Sequence, residues 1–398
     1  MPVELLNNSE LQNYRINYRS RTENSGYVLM DGNDSLVRSF TINKDIDTPV
    51  IDLTLELAPS ADPSLYKEGD IIEIFGPKIE YNGTITALQT LYVGYIFRRS
   101  VPISANTLQC KNLGYYISTN DRYFKINQGE TATDFITRIC ADNGIPLLDI
   151  MQTEYKLPAK FIESKSIYAT ILDALTQSMI EEDKKYYMYF HPRGLIIQDV
   201  TDKSEQGFVL EDTEGFNNVM SPSLDSNILD REFINVARGK ATNSVVQNEN
   251  LAEIQALLPL ASNQEFRNER SIAQYGEFIR EYDITNKGID GGARYLEKIV
   301  SQARPVENVM LTTFATNNIK PTDRIFVKVG QIGASGEYFV KHVTSTIQAG
   351  SFLETITASK VRDIPQEKLA ELEQSQFIIN GVNLAEVAQE LEAQDAPI

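Results

Sequence analysis

The sequence predicts an α+β chain that is mainly β, and three observations carry this expectation. Apolar and polar residues alternate with a period of two in Val50-Ile-Asp-Leu-Thr-Leu-Glu-Leu57, where Ile51, Leu53 and Leu55 stand opposite Asp52, Thr54 and Glu56. Helical periodicity is concentrated in one central stretch, Gln128 to Val200, with β-rich sequence on both sides. At 398 residues the chain is too long for one ordinary core, so two to four domains are expected.

Residues 1–118 read as strands throughout. Tyr14-Arg-Ile-Asn-Tyr18 and Val37-Arg-Ser-Phe-Thr-Ile42 alternate, and Asp70-Ile-Ile-Glu-Ile-Phe75 follows. Asn82-Gly83 supplies the residues a tight type I′ turn needs. Tyr92-Val-Gly-Tyr-Ile-Phe97 is the next strand, and Leu108 to Ile117 is read as the last. Five or more strands at this spacing suggest a barrel or a sandwich.

Residues 119–204 read as a helix-helix-hairpin module. Thr131 opens a Thr-x-x-Asp capping pattern completed by Asp134. Phe135, Ile136, Ile139 and Cys140 then share a helical face, and Asn143-Gly144 with Pro146 stops the helix. A second helix from about Ser166 carries the stripe Tyr168, Ile171, Leu172, Leu175 and Met179. Tyr186-Tyr-Met-Tyr-Phe190, the turn His191-Pro-Arg-Gly194 and Leu195-Ile-Ile197 form a hairpin.

Residues 205–250 return to β character in Phe208-Val-Leu210 and Phe233 to Arg238, with a turn-rich stretch, Ser221 to Asn227, between them. Residues 251–307 are helical in pattern, beginning in the stretch Glu249 to Leu258. Asp290 caps a helix whose face is Ala293, Leu296, Ile299, Val300 and Ala303. Arg270 to Tyr282 mixes both periods. Strands resume at Asn308 to Phe314, Pro321 to Val329, Tyr338 to Thr344 and Phe352 to Ala358. Pro321-Thr-Asp-Arg-Ile-Phe-Val-Lys-Val329 echoes Glu68-Gly-Asp-Ile-Ile-Glu-Ile-Phe75, a sign of an internal repeat. The tail 363–398 is acidic. Phe377, Ile378 and Ile379 form an apolar anchor, and Leu384, Val387 and Leu391 recur at helical spacing.

Three of these stretches carry a family resemblance. They are Asn127 to Pro146 with Ser166 to Leu175 and the aromatic hairpin; Gly69 to Phe75 with Tyr92-Val-Gly-Tyr-Ile; and Ser271-Ile-Ala-Gln-Tyr-Gly276. Together they resemble the baseplate hub proteins of contractile phage tails and tailocins, over most of the chain. The resemblance implies two tube-like antiparallel β-barrels, one at 1–118 and one split between 205–250 and 308–362. The module and the helical insertion 251–307 lie between their parts. In relatives the Ser-Ile-x-x-Tyr-Gly phrase leads into a strand.

The resemblance further implies a homotrimer whose six barrels form a pseudo-sixfold ring. Such a ring joins a hexameric tail tube to a trimeric spike and lines part of the DNA or effector channel. Expected partners are the spike, tail tube, tape measure and other baseplate proteins. The expected place is the virion tail baseplate, assembled in the bacterial host cytoplasm. The tail 363–398 is expected to be a docking arm, with Phe377, Ile378, Leu384, Val387 and Leu391 as partner-binding residues. The alternative reading is a tail-associated cell-wall hydrolase or a host-surface-binding β protein.

Composition narrows the chemistry. Asp and Glu number 55 against 37 Lys and Arg, a net charge of −18, which disfavours sequence-wide binding to phosphate backbones and predicts an acidic or neutral channel wall. No run approaches the ~20 apolar residues of a membrane span. Met1-Pro-Val-Glu-Leu-Leu has neither the basic start nor the apolar core of a secretory signal. Two cysteines, Cys110 and Cys140, make no disulfide framework and are expected as buried thiols.

Catalytic signals are equally sparse. His191 and His342 are the only histidines, and neither sits by a nucleophile elbow. Gly330-Gln-Ile-Gly-Ala-Ser-Gly336 lies between strands and opens no helix, so a hairpin loop is expected rather than a phosphate cradle. Asp283, Asn286, Gly288 and Asp290 miss the calcium-loop spacing. No carboxylate pair stands out for glycosidic cleavage. The expectation is a non-enzymatic protein without catalytic, cofactor or metal residues.

Overall fold

Fifteen strands form one curled, largely antiparallel sheet in a chain that is mainly β. The computed structural model describes residues 14–23, 25–31, 34–79, 85–101, 106–182, 184–199, 209–213, 216–217, 219–227, 233–240, 265–283, 293, 296–297, 299–301, 303, 305–314, 317–348, 351–362, 378–379 and 382–383. The Asn82-Gly83 turn, Phe208, the stretch 249–258 and the cap Asp290 lie outside the described residues. The chain divides into two compact units, residues 1–223 with 309–398, and residues 224–308.

The sheet begins with β1 (Arg15–Arg19), β2 (Gly26–Asp31), β3 (Asp34–Ser35), β4 (Val37–Asp45), β5 (Asp52–Leu57), β6 (Ile71–Ile79), β7 (Ile85–Ser100) and β8 (Asn106–Lys111). Alternation sends Ile16, Tyr18, Phe40, Ile42, Leu53, Leu55, Ile72 and Ile74 into one core. The neighbours run β4-β5-β8-β7-β6-β1-β2-β3. In sequence, β3 leads directly into β4. Met30 pairs with Ser35, and the Leu36 N–H donates to the Leu29 carbonyl at 2.8 Å. Gly94 in β7 has no room for a β-carbon: one would stand 2.1 Å from the Tyr92 hydroxyl and 2.7 Å from the Lys111 carbonyl.

The stretch Leu108 to Ile117, read from sequence as one strand, breaks at Asn112. Its side chain accepts from the Ile51 N–H at 2.9 Å and donates to the Pro49 carbonyl at 3.1 Å. The chain then turns into helix α1 (Leu113–Thr119), whose tyrosines pack edge-on against Tyr95 and Phe97. β-like propensity here yields to a tertiary tie.

The module continues through β9 (Asp121–Ile126), α2 (Ala132–Asp142), β10 (Leu147–Ile150), β11 (Lys160–Ser166), α3 (Ile167–Glu182), β12 (Tyr186–His191) and β13 (Gly194–Asp199). Thr131 and Asp134 close the expected capping box, and Phe135, Ile136, Ile139 and Cys140 are all buried. On α3, Ile171 and Leu175 point inward but Leu172 does not; Ala174 and Ser178 fill the inner face instead. Tyr186, Met188 and Phe190 are buried, and β12 meets β13 in unbroken register from Tyr186↔Asp199 to His191↔Gly194. β10 lies parallel to β13, and β9 pairs with β11.

The sheet resumes with β14 (Val209–Thr213), β15 (Phe216–Asn217) and β16 (Val219–Asn227). Ser221 to Asn227, read as turn-rich, is thus a strand; Pro222 and the serines hide its period without preventing its pairing. In the second unit, β17 (Val236–Lys240) pairs with β18 (Glu265–Arg267) and with β19 (Ile279–Asp283). Helix α4 (Glu269–Tyr275), capped by Asn268, ends at Gly276 and feeds β19, as the Ser271–Gly276 phrase implies. Ala237, Leu296 and Val300 form its core, so the expected helical face is present at 296, 299 and 300. Asn235 ties the corner: its side chain donates to the Gly276 carbonyl and accepts from the Phe278 N–H, both at 2.7 Å.

The last strands are β20 (Val306–Phe314), β21 (Arg324–Val329), β22 (Ala334–Gln348) and β23 (Ser351–Arg362), with the short β24 (Ile378–Ile379) and β25 (Val382–Asn383) beyond them. Their neighbours run β16-β20-β23-β22-β21-β14, and β14 pairs with β15, which leads into β16. This follows the path of the first eight strands with one strand fewer: none stands for β1, and β14, in the place of β2, runs parallel to β21 where β1 runs antiparallel to β6. A second core, with Val309, Leu311, Ile325, Val327, Tyr338 and Ile356, sits inside it.

Candidate assembly surface

The repeat extends to single hydrogen bonds. Before β6, Gly69 has φ +91 and its N–H donates to the Ile96 carbonyl, while the Ile96 N–H donates to Asp70. Before β21, Thr322 has φ +86 and its N–H donates to the Val340 carbonyl, while the Val340 N–H donates to Asp323. Both aspartates are buried, and each accepts from the N–H of the lysine three residues earlier, Lys67 or Lys320. Ile71 pairs with Tyr95 as Arg324 pairs with Phe339. A bulge falls between Ile96 and Arg98 against β8, and between Val340 and His342 against β23. The echo of Gly69–Phe75 in Pro321–Val329 is therefore a structural equivalence, and Val219 in β16 stands where Val37 stands in β4.

A ladder joins the two halves. The end of β22 runs antiparallel to β4 through seven pairs, from His342↔Asp45 to Gln348↔Ser39. His342 Nδ1 lies 3.1 Å from Asp45, its Nε2 lies 2.9 Å from the Thr344 hydroxyl, and that hydroxyl donates to Asn43 at 2.9 Å. This is a strand-face role, as expected of His342. Asn317 staples the join from above. In the left-handed region at φ 55, it donates to the Tyr14 hydroxyl at 2.5 Å and to the Pro77 carbonyl at 2.9 Å, while its own carbonyl accepts from Gln89 at 2.9 Å. Asn317→Ala is expected to cost about 2 kcal/mol, from two lost hydrogen bonds and a strained backbone. Urea midpoints check it: Asn317→Gly, free of the backbone strain, should lose less.

The module's hairpin packs on this join, with the Tyr187 and Phe339 rings 5.2 Å apart. The Lys320 ammonium lies 5.4 Å over the Tyr189 ring. Burial, then Asp323 and Asp149, raises the Tyr189 phenol to about 12. Burial lowers the Lys44 ammonium against the pull of Glu354. Burial also holds His191 below its ordinary value, with Arg193, Lys320 and Lys44 acting in the same direction. His191 accepts from the Arg193 N–H across its turn, a structural role.

Both cysteines are free and buried, and burial pushes the Cys140 thiol up to about 11 and Cys110 higher still, the opposite of what a nucleophile needs. Among the described residues no His, Cys, Asp and Glu cluster could hold a metal, and no helix is long and apolar enough to cross a membrane. The loop after β21 is one 3-10 turn, Gly330–Ile332, leading into β22. Its Gly330 and Gln331 N–H groups donate to Asp212 at 2.7 and 3.0 Å, so a carboxylate of the chain itself sits where an anion would.

Of the expected partner-binding residues, Ile378 lies in β24, which pairs with β25. Phe377, Leu384, Val387 and Leu391 lie outside the described residues. Sequence reading missed two exposed features. One is strand β16, with Met220 and Leu224 outward. The other is a stacked pair on the β9-β11 ribbon, Tyr123 and Phe161, 70% and 64% exposed with rings 6.1 Å apart. Alternation in Tyr123-Phe-Lys-Ile126 was the available signal for the ribbon, and the alignment of Val219 with Val37 was the signal for β16.

A family model described as YQBQ-like matches residues 40–357. No curated protein matches the sequence. Among solved structures, the chain is similar to the tail protein from Neisseria meningitidis MC58, with a TM-score of 0.62 and 10% identity over 87% of this chain and 97% of that one. It is similar to the 43 kDa tail protein of prophage MuSo2 from Shewanella oneidensis, with a TM-score of 0.60 and 11% identity over 88% and 97%. A Francisella PdpA-VgrG complex matches with a TM-score of 0.50 and 8% identity over 89% of this chain and 53% of that one. At these identities the likeness is one of fold, and it agrees with the resemblance to baseplate proteins read from the sequence.

Proposed function

The chain belongs to the YQBQ-like family, and from that premise we propose that it is the structural, non-enzymatic central hub of a contractile-tail baseplate. One observation carries the reading: a single chain holds two β-modules that share corner chemistry and, apart from a missing counterpart of β1, strand order, joined in one continuous sheet. Three such chains present six like modules, which is what an adaptor between a sixfold tube and a threefold spike requires. The modules are the tube-like barrels of 1–118 and of 205–250 with 308–362. The module 119–204 packs beside the join, and the insertion is 251–307, whose sheet also takes up β17. The hub passes load and geometry from tube to spike and frames part of the channel, with an acidic or neutral wall. Its place is the virion tail, and its partners are the tube, spike, tape-measure and other baseplate proteins.

Mass in solution and particle images test the reading. A ring of three chains with a central channel is the expected result, and a monomer at every concentration would reject it. The tail from 363 is proposed as the docking arm. A chain ending at Val361 is expected to assemble as the full chain does while losing one tail partner in a pull-down. Unchanged capture of every partner would remove the arm from the proposal.

A further inference from the structure

We infer that copies of this chain join through the same ladder that joins its two halves, with β16 of one copy antiparallel to the end of β7 of the next. This rests on the ring of copies proposed above and names the surfaces that close it. β4 carries a strand on each edge, β5 and β22. Its equivalent β16 is paired with β20 alone among the described residues. The end of β22 from His342 lies between β23 and β4. Its equivalent in β7, from Arg98 onward, is paired with β8 alone among the described residues. Each copy thus presents one edge of each kind, and each is the counterpart of an edge already occupied within the chain. An open edge with backbone donors and acceptors is a template for another strand. Two different edges make a heterologous, head-to-tail contact, which closes into a ring when the rotation allows it.

The register within the chain fixes the register between copies. Asp45↔His342, Lys44↔Val343, Asn43↔Thr344 and Ile42↔Ser345 become Asn227↔Arg98, Ser226↔Arg99, Asp225↔Ser100 and Leu224↔Val101. Pro222, which has no N–H to give, stands beyond these four pairs. The side chains suit a buried seam. Val101 and Leu224 are 52% and 36% exposed and come directly opposite each other. Arg98, exposed at the strand end, stands diagonal to Asp225, within reach of a long side chain, as His342 stands opposite Asp45.

Cysteine pairing reads the register. Directly opposed residues have Cβ atoms about 4.5–5.5 Å apart, near disulfide reach. Val101→Cys with Leu224→Cys, oxidised mildly, is expected to give species of two and three chains on a non-reducing gel that vanish on reduction. Neither single variant should give them, because Cys110 and Cys140 are buried. Val101→Cys with Met220→Cys, four residues out of register, should not link. Linkage of that pair instead, or of neither pair in a protein that sizes as a ring, overturns the ladder and leaves the ring standing. A protein monomeric at every concentration overturns both. In the unsubstituted assembly, backbone amides at 98–101 and 224–227 should exchange slowly, and fast exchange at both segments also rejects the ladder.

Discussion

Asp70→Ala is expected to lower stability by about 3 kcal/mol, because one buried and two part-buried donors lose their acceptor, the buried one at roughly 1–3 kcal/mol and the others at less. The carboxylate accepts from the Tyr18 hydroxyl at 2.5 Å, the Arg21 N–H at 2.9 Å and the Lys67 N–H at 3.2 Å. Asp70 itself is only 2% exposed, so the Tyr18 hydroxyl is the donor left worst off. Asp70→Asn keeps one acceptor oxygen and should lose less. Burial raises the Asp70 pKa, but the hydrogen bonds from Tyr18, Arg21 and Lys67 outweigh it and leave the group below its ordinary value. A carboxyl lowered on folding adds stability above its unfolded pKa, near 3.9, and loses it as pH falls through the folded value. Urea midpoints measured from neutral pH downward should therefore fall in acid for the natural chain and fall less for Asp70→Asn. Parallel acid profiles for the two would sink this account.

Gly114→Ala is expected to cost about 3 kcal/mol, at the upper end of the range for overpacking. A β-carbon there would lie 2.0 Å from the Pro49 carbonyl oxygen and 2.6 Å from its carbon. Both are backbone atoms, so no side chain can swing aside. Asn112, two residues earlier, holds that segment through Pro49 and Ile51, so the two stretches of chain cannot part without breaking both bonds. Thermal melts compare it with Leu113→Ala, which removes only a partly buried side chain. An unchanged melting temperature for Gly114→Ala would mean that the close approach is not fixed.

The parts of this fold that were legible in the sequence are those held by local chemistry. The Thr131–Asp134 box, the face Phe135 to Cys140 and the hairpin at His191–Gly194 are each written within a few residues. The repeat was visible because a buried aspartate corner needs an aspartate before an alternating strand, at Asp70 and again at Asp323. The rest is decided at long range. Leu113 to Ile117 favours a strand by composition, yet it coils because Asn112 is tied to residues some sixty positions earlier. β16 hides its period behind Pro222 and three serines and is a strand because β20 lies beside it. The candidate assembly surface belongs to this second kind: edges are properties of pairing, and no single segment records what lies next to it.

The ladder between β4 and β22 also orders events in time. His342 and Asp45 are 297 residues apart, so during synthesis the edge of β4 waits for nearly the whole chain before its partner exists. Contacts this distant form late, and an unpaired strand edge is prone to pairing with the wrong chain in the interval. The N-terminal strands can build most of their sheet early, but they display a ready edge until residues 342–348 emerge. A nascent chain released before that point would carry a vacancy shaped for this protein's own later strand, and neighbouring nascent chains on one message would be the nearest source of one.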